Sequence, residues 1–201
     1  MKKTLEFIFD FASPNAYLAY KTLPSILERN NTELKITPAL LGGIFKATGN
    51  QGPMMAFNGI KGKLEYEQLE ITRFIKKHKL FSFKFNSHFP VNSLMLVRGA
   101  IVADQDGRLD EYVQVGLKSM WEDDLKMDDP QVFAETFSSA GFDGEQLLER
   151  MQEQDVKDQL AQNTQDAVDR GVFGIPTFFV GEEMFFGKDR LDQVAEELEV
   201  E

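Results

Sequence analysis

The run FDFASPNAYLAY, Phe9 to Tyr20, places a serine and a proline where a strand-like apolar segment gives way to helical spacing. Serine is a favoured helix cap and proline a favoured first helical residue, so Ser13-Pro14 sets a hydroxyl beside the unpaired amides of a first turn. Those amides and the helix dipole favour a negative charge. A thiol bound there is held as its thiolate, and Ser13 can donate a charge-assisted hydrogen bond to the sulfur. A plain cap has the same sequence, and Ser-Pro alone leaves both readings open. The sulfur must come from a ligand, because the chain has no cysteine, which also excludes disulfides, thiolate metal sites and dithiol redox chemistry. Two histidines, His78 and His88, stand far apart without a carboxylate cluster and predict no metal site. The runs Glu122-Asp123-Asp124 and Asp128-Asp129 lack the glycine and ligand spacing of a calcium loop.

The elements that must position Ser13 follow from periodicity. Residues 4–12 read as a strand, in which Leu5, Phe7, Phe9 and Phe11 alternate with Glu6, Ile8 and Asp10. Tyr17, Leu18, Leu23, Ile26 and Leu27 recur at helical spacing up to Asn30-Asn31, with Pro24 near a break. Residues 34–40, LKITPAL, form a second strand, and a β-α-β opening of this kind implies parallel strands joined by a right-handed crossover. From residue 42 to about 170 the pattern is helical almost throughout, interrupted at 49–53 (GNQGP) and 81–90 (FSFKFNSHFP). TFFVGEEMFFG, 177–187, reads as two short strands around Gly181-Glu182. An amphipathic helix over 190–198 follows, within an acidic terminus.

With 201 residues and a net charge of −11, the chain suits one domain with a large insertion and repels phosphate backbones, which argues against nucleic acid. The cations Arg73, Lys76, Lys77 and Lys79 read as a solvated helix face. No run reaches the ~18 to 20 apolar residues of a membrane span, and the N-terminus reads as a strand rather than a signal peptide, so a cytoplasmic address is expected.

The order β-α-β, helical block, β-β-α is that of an α/β thioredoxin-like fold with an all-helical insertion. The expected division is residues 1–41 and 171–201 for the thioredoxin-like domain and 42–170 for the insertion. In that fold the first helix begins where thiol-active members carry Cys-x-x-Cys, here Ser13-Pro14-Asn15-Ala16, and a cis-proline precedes the third strand, here Ile175-Pro176. The pieces FDFASPNAYLA, LLGGIFKATGNQGP, HFPVNSLMLVRG, GVFGIPTFFV and FFGKDRLD together resemble the 2-hydroxychromene-2-carboxylate isomerases and the kappa-class glutathione transferases. Wider relatives of that family are the periplasmic disulfide oxidoreductases.

The resemblance implies glutathione as cofactor and a small aromatic or electrophilic substrate. It implies that Ser13 contacts the sulfur, that Asn50 lies near thiol and substrate, and that the backbone of Ile175 before Pro176 pairs with the cysteinyl part. In the glycine-x-Asp-Arg stretch, Gly187 to Arg190, Lys188 and Asp189 match the positions that hold the γ-glutamyl end, with Asp189 suited to its α-ammonium. Lys188 departs from the small or amide side chain common among relatives, although its backbone N–H remains able to bind the α-carboxylate. On its own, Lys188-Asp189-Arg190 reads as an exposed helix start. Lys46, one helical turn before Asn50, is expected to face the same cleft toward a substrate carboxylate, and Phe89 to line an apolar acceptor side. The implied reaction is isomerisation by thiolate addition, ring opening, rotation about a carbon-carbon bond and thiolate elimination, in a homodimer. Conjugation by a kappa-like transferase is the alternative enzyme reading, and a cysteine-free peptide-binding module the alternative outside catalysis.

Overall fold

The computed structural model describes residues 2–199; residues 1 and 200–201, the ends of the expected terminal segments, lie outside the described residues. The sheet has the order β2-β1-β3-β4, with β1 at Lys3–Phe9, β2 at Thr32–Pro38, β3 at Thr177–Val180 and β4 at Glu183–Phe186. β1 and β2 run parallel from Lys3↔Thr32 to Phe9↔Pro38, while β3 is antiparallel to both of its neighbours. The chain has the thioredoxin fold with a helical insertion, as the element order predicted.

The alternation expected along the first strand is not observed. Ile8 and Asp10 are as buried as Phe7 and Phe9, because β1 is a central strand with both faces covered, a setting that selects continuous apolar runs. The strand stops at Phe9, and Phe7 stacks on Phe178 of β3 at 5.0 Å. The hairpin between β3 and β4 closes at Val180↔Glu183, with Gly181 at φ +58°.

Helix α1, Pro14–Arg29, runs through Pro24 without the expected break. An internal proline costs about 3 kcal/mol, but burial of Leu18, Leu23 and Ile26 outweighs it. α2 covers Leu41–Thr48 and the short α3 Pro53–Ala56; α4 covers Lys63–His78. After an irregular segment come α5 (Leu94–Gln105), α6 (Leu109–Trp121), α7 (Pro130–Ser139), α8 (Gly144–Arg150) and α9 (Gln154–Asp169), and α10 (Leu191–Glu199) closes the chain. α9 holds the end of β2: Asn163 Nδ2 donates to the Pro38 carbonyl at 3.0 Å, and Thr164 Oγ1 accepts from the Leu40 amide at 3.0 Å.

The helical block docks on the turn between β1 and α1. Trp121, fully buried, donates its Nε1–H to the Phe11 carbonyl at 2.9 Å. Phe11 meets Tyr112 edge-on, and Tyr112 stacks on Phe137 at 4.2 Å. Gly116 lets α6 come this close, since a Cβ there would lie 2.5 Å from a ring carbon of Phe11.

Asp10 joins three segments at this turn. Its side chain is completely buried and accepts from the amides of Ala12 at 2.9 Å and Leu41 at 2.7 Å, with Ser93 as a further side-chain partner. The Leu41 bond satisfies an end amide of α2, whose own cap residue, Leu40, has no side chain able to do so. Burial pushes the Asp10 carboxyl above its ordinary pKa, against the three hydrogen bonds that favour its charge. Glu6 is the opposite case. Burial raises it, but bonds from Thr37, Arg170 and Lys35 prevail and hold it at about 2, well below 4.5.

Three outcomes follow from these contacts. Replacing Gly116 by Ala is expected to cost about 1–3 kcal/mol through overpacking against Phe11, read as a lower urea midpoint at unchanged slope. Asp10→Ala strands the Ala12 and Leu41 amides, at about 1–3 kcal/mol for each lost acceptor; hydrogen exchange should accelerate at these two positions beyond the global change. Glu6 binds its proton more readily in the unfolded chain than in the folded one. Stability present above pH 4.5 is therefore lost as the pH falls toward about 2, and Glu6→Gln should flatten that acid limb in a series of denaturation curves.

Candidate functional site

The site begins at the cap of α1. Ser13 sits in extended conformation, 4% exposed, and its Oγ accepts from the Ala16 amide at 3.2 Å. The cap reading is correct, and the hydroxyl has a second bond that the sequence did not indicate. It donates to the Ile175 carbonyl at 3.0 Å, 162 residues away. The proton that the sequence reading aimed at a sulfur thus has an acceptor within the protein, on the residue before the proline.

The Ile175-Pro176 bond is cis. Around it the backbone is fixed on both sides: Thr177 Oγ1 donates to the Gly174 carbonyl at 2.8 Å, and the Pro176 carbonyl accepts from the Gly187 amide at 2.9 Å. Gly187 has φ +92°, a conformation that favours glycine. One continuous line of contacts therefore runs from Ser13 through Ile175 and Pro176 to Gly187, and on to Lys188 and Asp189.

Lys188 is not the exposed helix start that its triplet suggested. It opens a 3-10 turn, Lys188–Arg190, and is 4% exposed. Its Nζ donates to Asp189 Oδ1 at 2.6 Å and lies 4.9 Å from the centre of the Phe74 ring. Docking of α4 over this turn buries the side chain. A cavity of about 500 Å³ opens beside it between α1, α4 and the start of α10, lined among others by Arg29, Glu70, Phe74, Lys77, Lys188 and Asp189. Ser13 and Ile175 are not among its lining residues, so the two ends of the site are separate features joined by the proline strand.

Asn50 is exposed and bonds across to this strand, Nδ2 donating to the Phe173 carbonyl at 2.7 Å. Lys46 is exposed in the last turn of α2. α2 ends at Thr48, and Gly49 turns the chain at φ +68° into the GNQGP turn that carries Asn50. Phe89 packs on Phe85 at 5.1 Å and on Trp121 at 6.3 Å. Its bond to Pro90 is a second cis peptide, which the sequence reading missed.

The sequence reading also passed over three side chains at the site. Asn15, in the first turn beside Ser13, has a buried Oδ1 with no hydrogen-bond partner. Tyr17 continues the aromatic wall of Phe83, Phe85 and Phe89; its ring lies 5.6 Å from Phe83, and its hydroxyl donates to Glu122 at 3.0 Å. Asp10 fixes the turn from below. The FSFKF spacing held a signal for the aromatic wall, whereas nothing local marks Asn15 or Asp10 as exceptional.

The Ser13 end of the candidate site thus combines an unpartnered buried acceptor at Asn15, a capped helix start and the backbone before the cis-proline. No helix among the described residues is long and apolar enough to cross a membrane.

Comparison with known proteins extends this picture. A protein of Pseudomonas sp. (strain C18) named 2-hydroxychromene-2-carboxylate isomerase is 28% identical over 190 residues, covering 93% of this chain and 86% of that protein. Human glutathione S-transferase kappa 1 is 27% identical, covering 97% of this chain and 90% of that protein. A solved structure of a 2-hydroxychromene-2-carboxylate isomerase superposes with a TM-score of 0.82 at 25% identity, over 96% of this chain and 93% of that one. The family model described as the DSBA-like thioredoxin domain matches residues 4–199, and the chain belongs to that family.

Proposed function

We propose that the chain is a glutathione-dependent isomerase of the 2-hydroxychromene-2-carboxylate type. The observation that carries this reading is the hydrogen bond from Ser13, at the start of α1, to the carbonyl of the residue before the cis-proline. It brings a helix N-terminus, a hydroxyl and an irregular backbone edge to one point, in a chain with no cysteine of its own.

When the thiol binds, the Ser13 hydroxyl turns its proton from the Ile175 carbonyl to the sulfur, and the N-terminal end of the α1 dipole favours the anion. Asn15 Oδ1, unpaired beside Ser13, is left to accept from a donor of the bound ligand. Ile175 and Pro176 orient the cysteinyl part, while Gly187, Lys188 and Asp189 take the γ-glutamyl end. Phe89, with Tyr17 and Phe85, forms the apolar side against which an aromatic substrate lies. Lys46 and Asn50 stand at the rim, with Asn50 also fixing the Phe173 loop. Bound there, glutathione supplies a thiolate nucleophile that is regenerated at the end of each turnover. The fold's contribution is to hold the Ser13 hydroxyl at the N-terminal end of the α1 dipole, where a developing negative charge is favoured. The exposed Met54, Met55, Ile60, Tyr66 and Leu69 offer the homodimer that this reading implies an apolar face to bury.

Ser13→Ala is expected to lower turnover about 10²-fold, the usual effect of removing one donor to a reacting anion, and to raise the pKa of bound glutathione read from thiolate absorbance. Turnover of the chromene at constant glutathione supports isomerisation, whereas stoichiometric loss of glutathione with an electrophile indicates a transferase. If calorimetry shows no binding of millimolar glutathione, both are wrong.

A further inference from the structure

The charge at the Lys188 end of the site is arranged unlike that at the Ser13 end. Asp189 is more than half exposed, yet one of its oxygens is already occupied: the Lys188 ammonium reaches Oδ1 at 2.6 Å from a position that is only 4% exposed. That ammonium is held on its other side by the Phe74 ring at 4.9 Å, where a cation gains from the aromatic face. Glu70 adds a second carboxylate whose charge is favoured first by Arg73 and, more weakly, by Lys188. A chain-borne ammonium thus already pairs with the Asp189 carboxylate at Oδ1.

We propose that Lys188 is a specificity residue, an internal counterion that satisfies Asp189 and removes the demand for an α-ammonium on the thiol ligand. The inference rests on the glutathione reading above. Two features make the substitution effective. A buried lysine keeps its charge only when paired, so Asp189 is held in place as the partner. The backbone of the turn is anchored independently of Asp189 by the bond from the Gly187 amide to the Pro176 carbonyl at 2.9 Å. The ligand carboxylate remains useful, since Arg29, Arg73 and Lys77 line the same cavity. The class of ligand selected is therefore a γ-acyl cysteinyl thiol with a terminal carboxylate, with or without an amine.

The test is calorimetric titration of the wild-type protein with glutathione and with glutaryl-cysteinylglycine, which lacks only the α-ammonium. The expected affinities agree within about threefold, because a charge-assisted pair to a free carboxylate would separate them by about tenfold or more. In Lys188→Met, which keeps an unbranched apolar stem on Phe74, Asp189 is released and glutathione should gain about tenfold over the amine-free thiol. Circular dichroism checks that the variant folds, and Lys188→Ser serves if it does not. A wild-type protein that prefers glutathione by about tenfold or more overturns the role of Lys188 and leaves the glutathione reading standing. So does a folded variant with no gain in preference. If neither thiol binds the wild type, both inferences fall together.

Discussion

A carboxylate taken out of water must find donors for its oxygens or lose its charge, and in this protein that constraint falls on Asp10. Completely buried where β1 ends, it accepts from the turn at Ala12 and from the start of α2 at Leu41, and it bonds to Ser93 at the cap of α5. These are the segments that lead to Ser13, to the Lys46–Asn50 stretch and out of the Phe89-Pro90 loop. Satisfying one side chain therefore sets the relative positions of three parts of the candidate site. Trp121 completes the arrangement by closing the Phe11 carbonyl from the helical block.

The same economy shows in the acidic runs, which the sequence marks as unsuited to calcium. Glu122 takes the Tyr17 hydroxyl and pairs with Lys21. Asp124 accepts from the Ser87 amide, Asp128 from that of Asn92, and Asp129 caps α7. They tie the irregular segment carrying Phe89 to the end of α6 and the start of α7, so acidity that looks like surface charge organises the aromatic side of the cleft. A strongly negative chain also discourages anionic ligands at long range, which gives local weight to the cations gathered around Lys188.

Much of the fold was legible because its signals are local. Four strands, the helical middle and the closing helix follow from periodicity and from Gly, Pro and Asn breaks, and the order of elements is enough to name the architecture. Ser13 was legible for the same reason, since a cap and a first-turn proline leave a signature within three residues. Pro24 misled because the energy that keeps α1 continuous comes from the core and has no local mark. The GNQGP break was legible as the end of α2, whereas the bond from Asn50 to the Phe173 carbonyl, 123 residues away, has no local mark. Lys188 looked exposed because nothing in its own neighbourhood announces that α4, more than a hundred residues earlier, packs over it.

The sequence by itself determined the elements, the absence of any thiol of the chain's own, and a serine-capped helix start, because each depends on residue type and short spacing. Tertiary structure alone decided that Ser13 bonds to the carbonyl before the cis-proline, that Asp10 is the hub beneath it, and that Lys188 answers Asp189 from within the fold. Those outcomes depend on burial and on partners 31 to 162 residues apart, or on the burial of a neighbouring pair. Such contacts are set by packing, which a linear pattern constrains only after the chain has closed on itself.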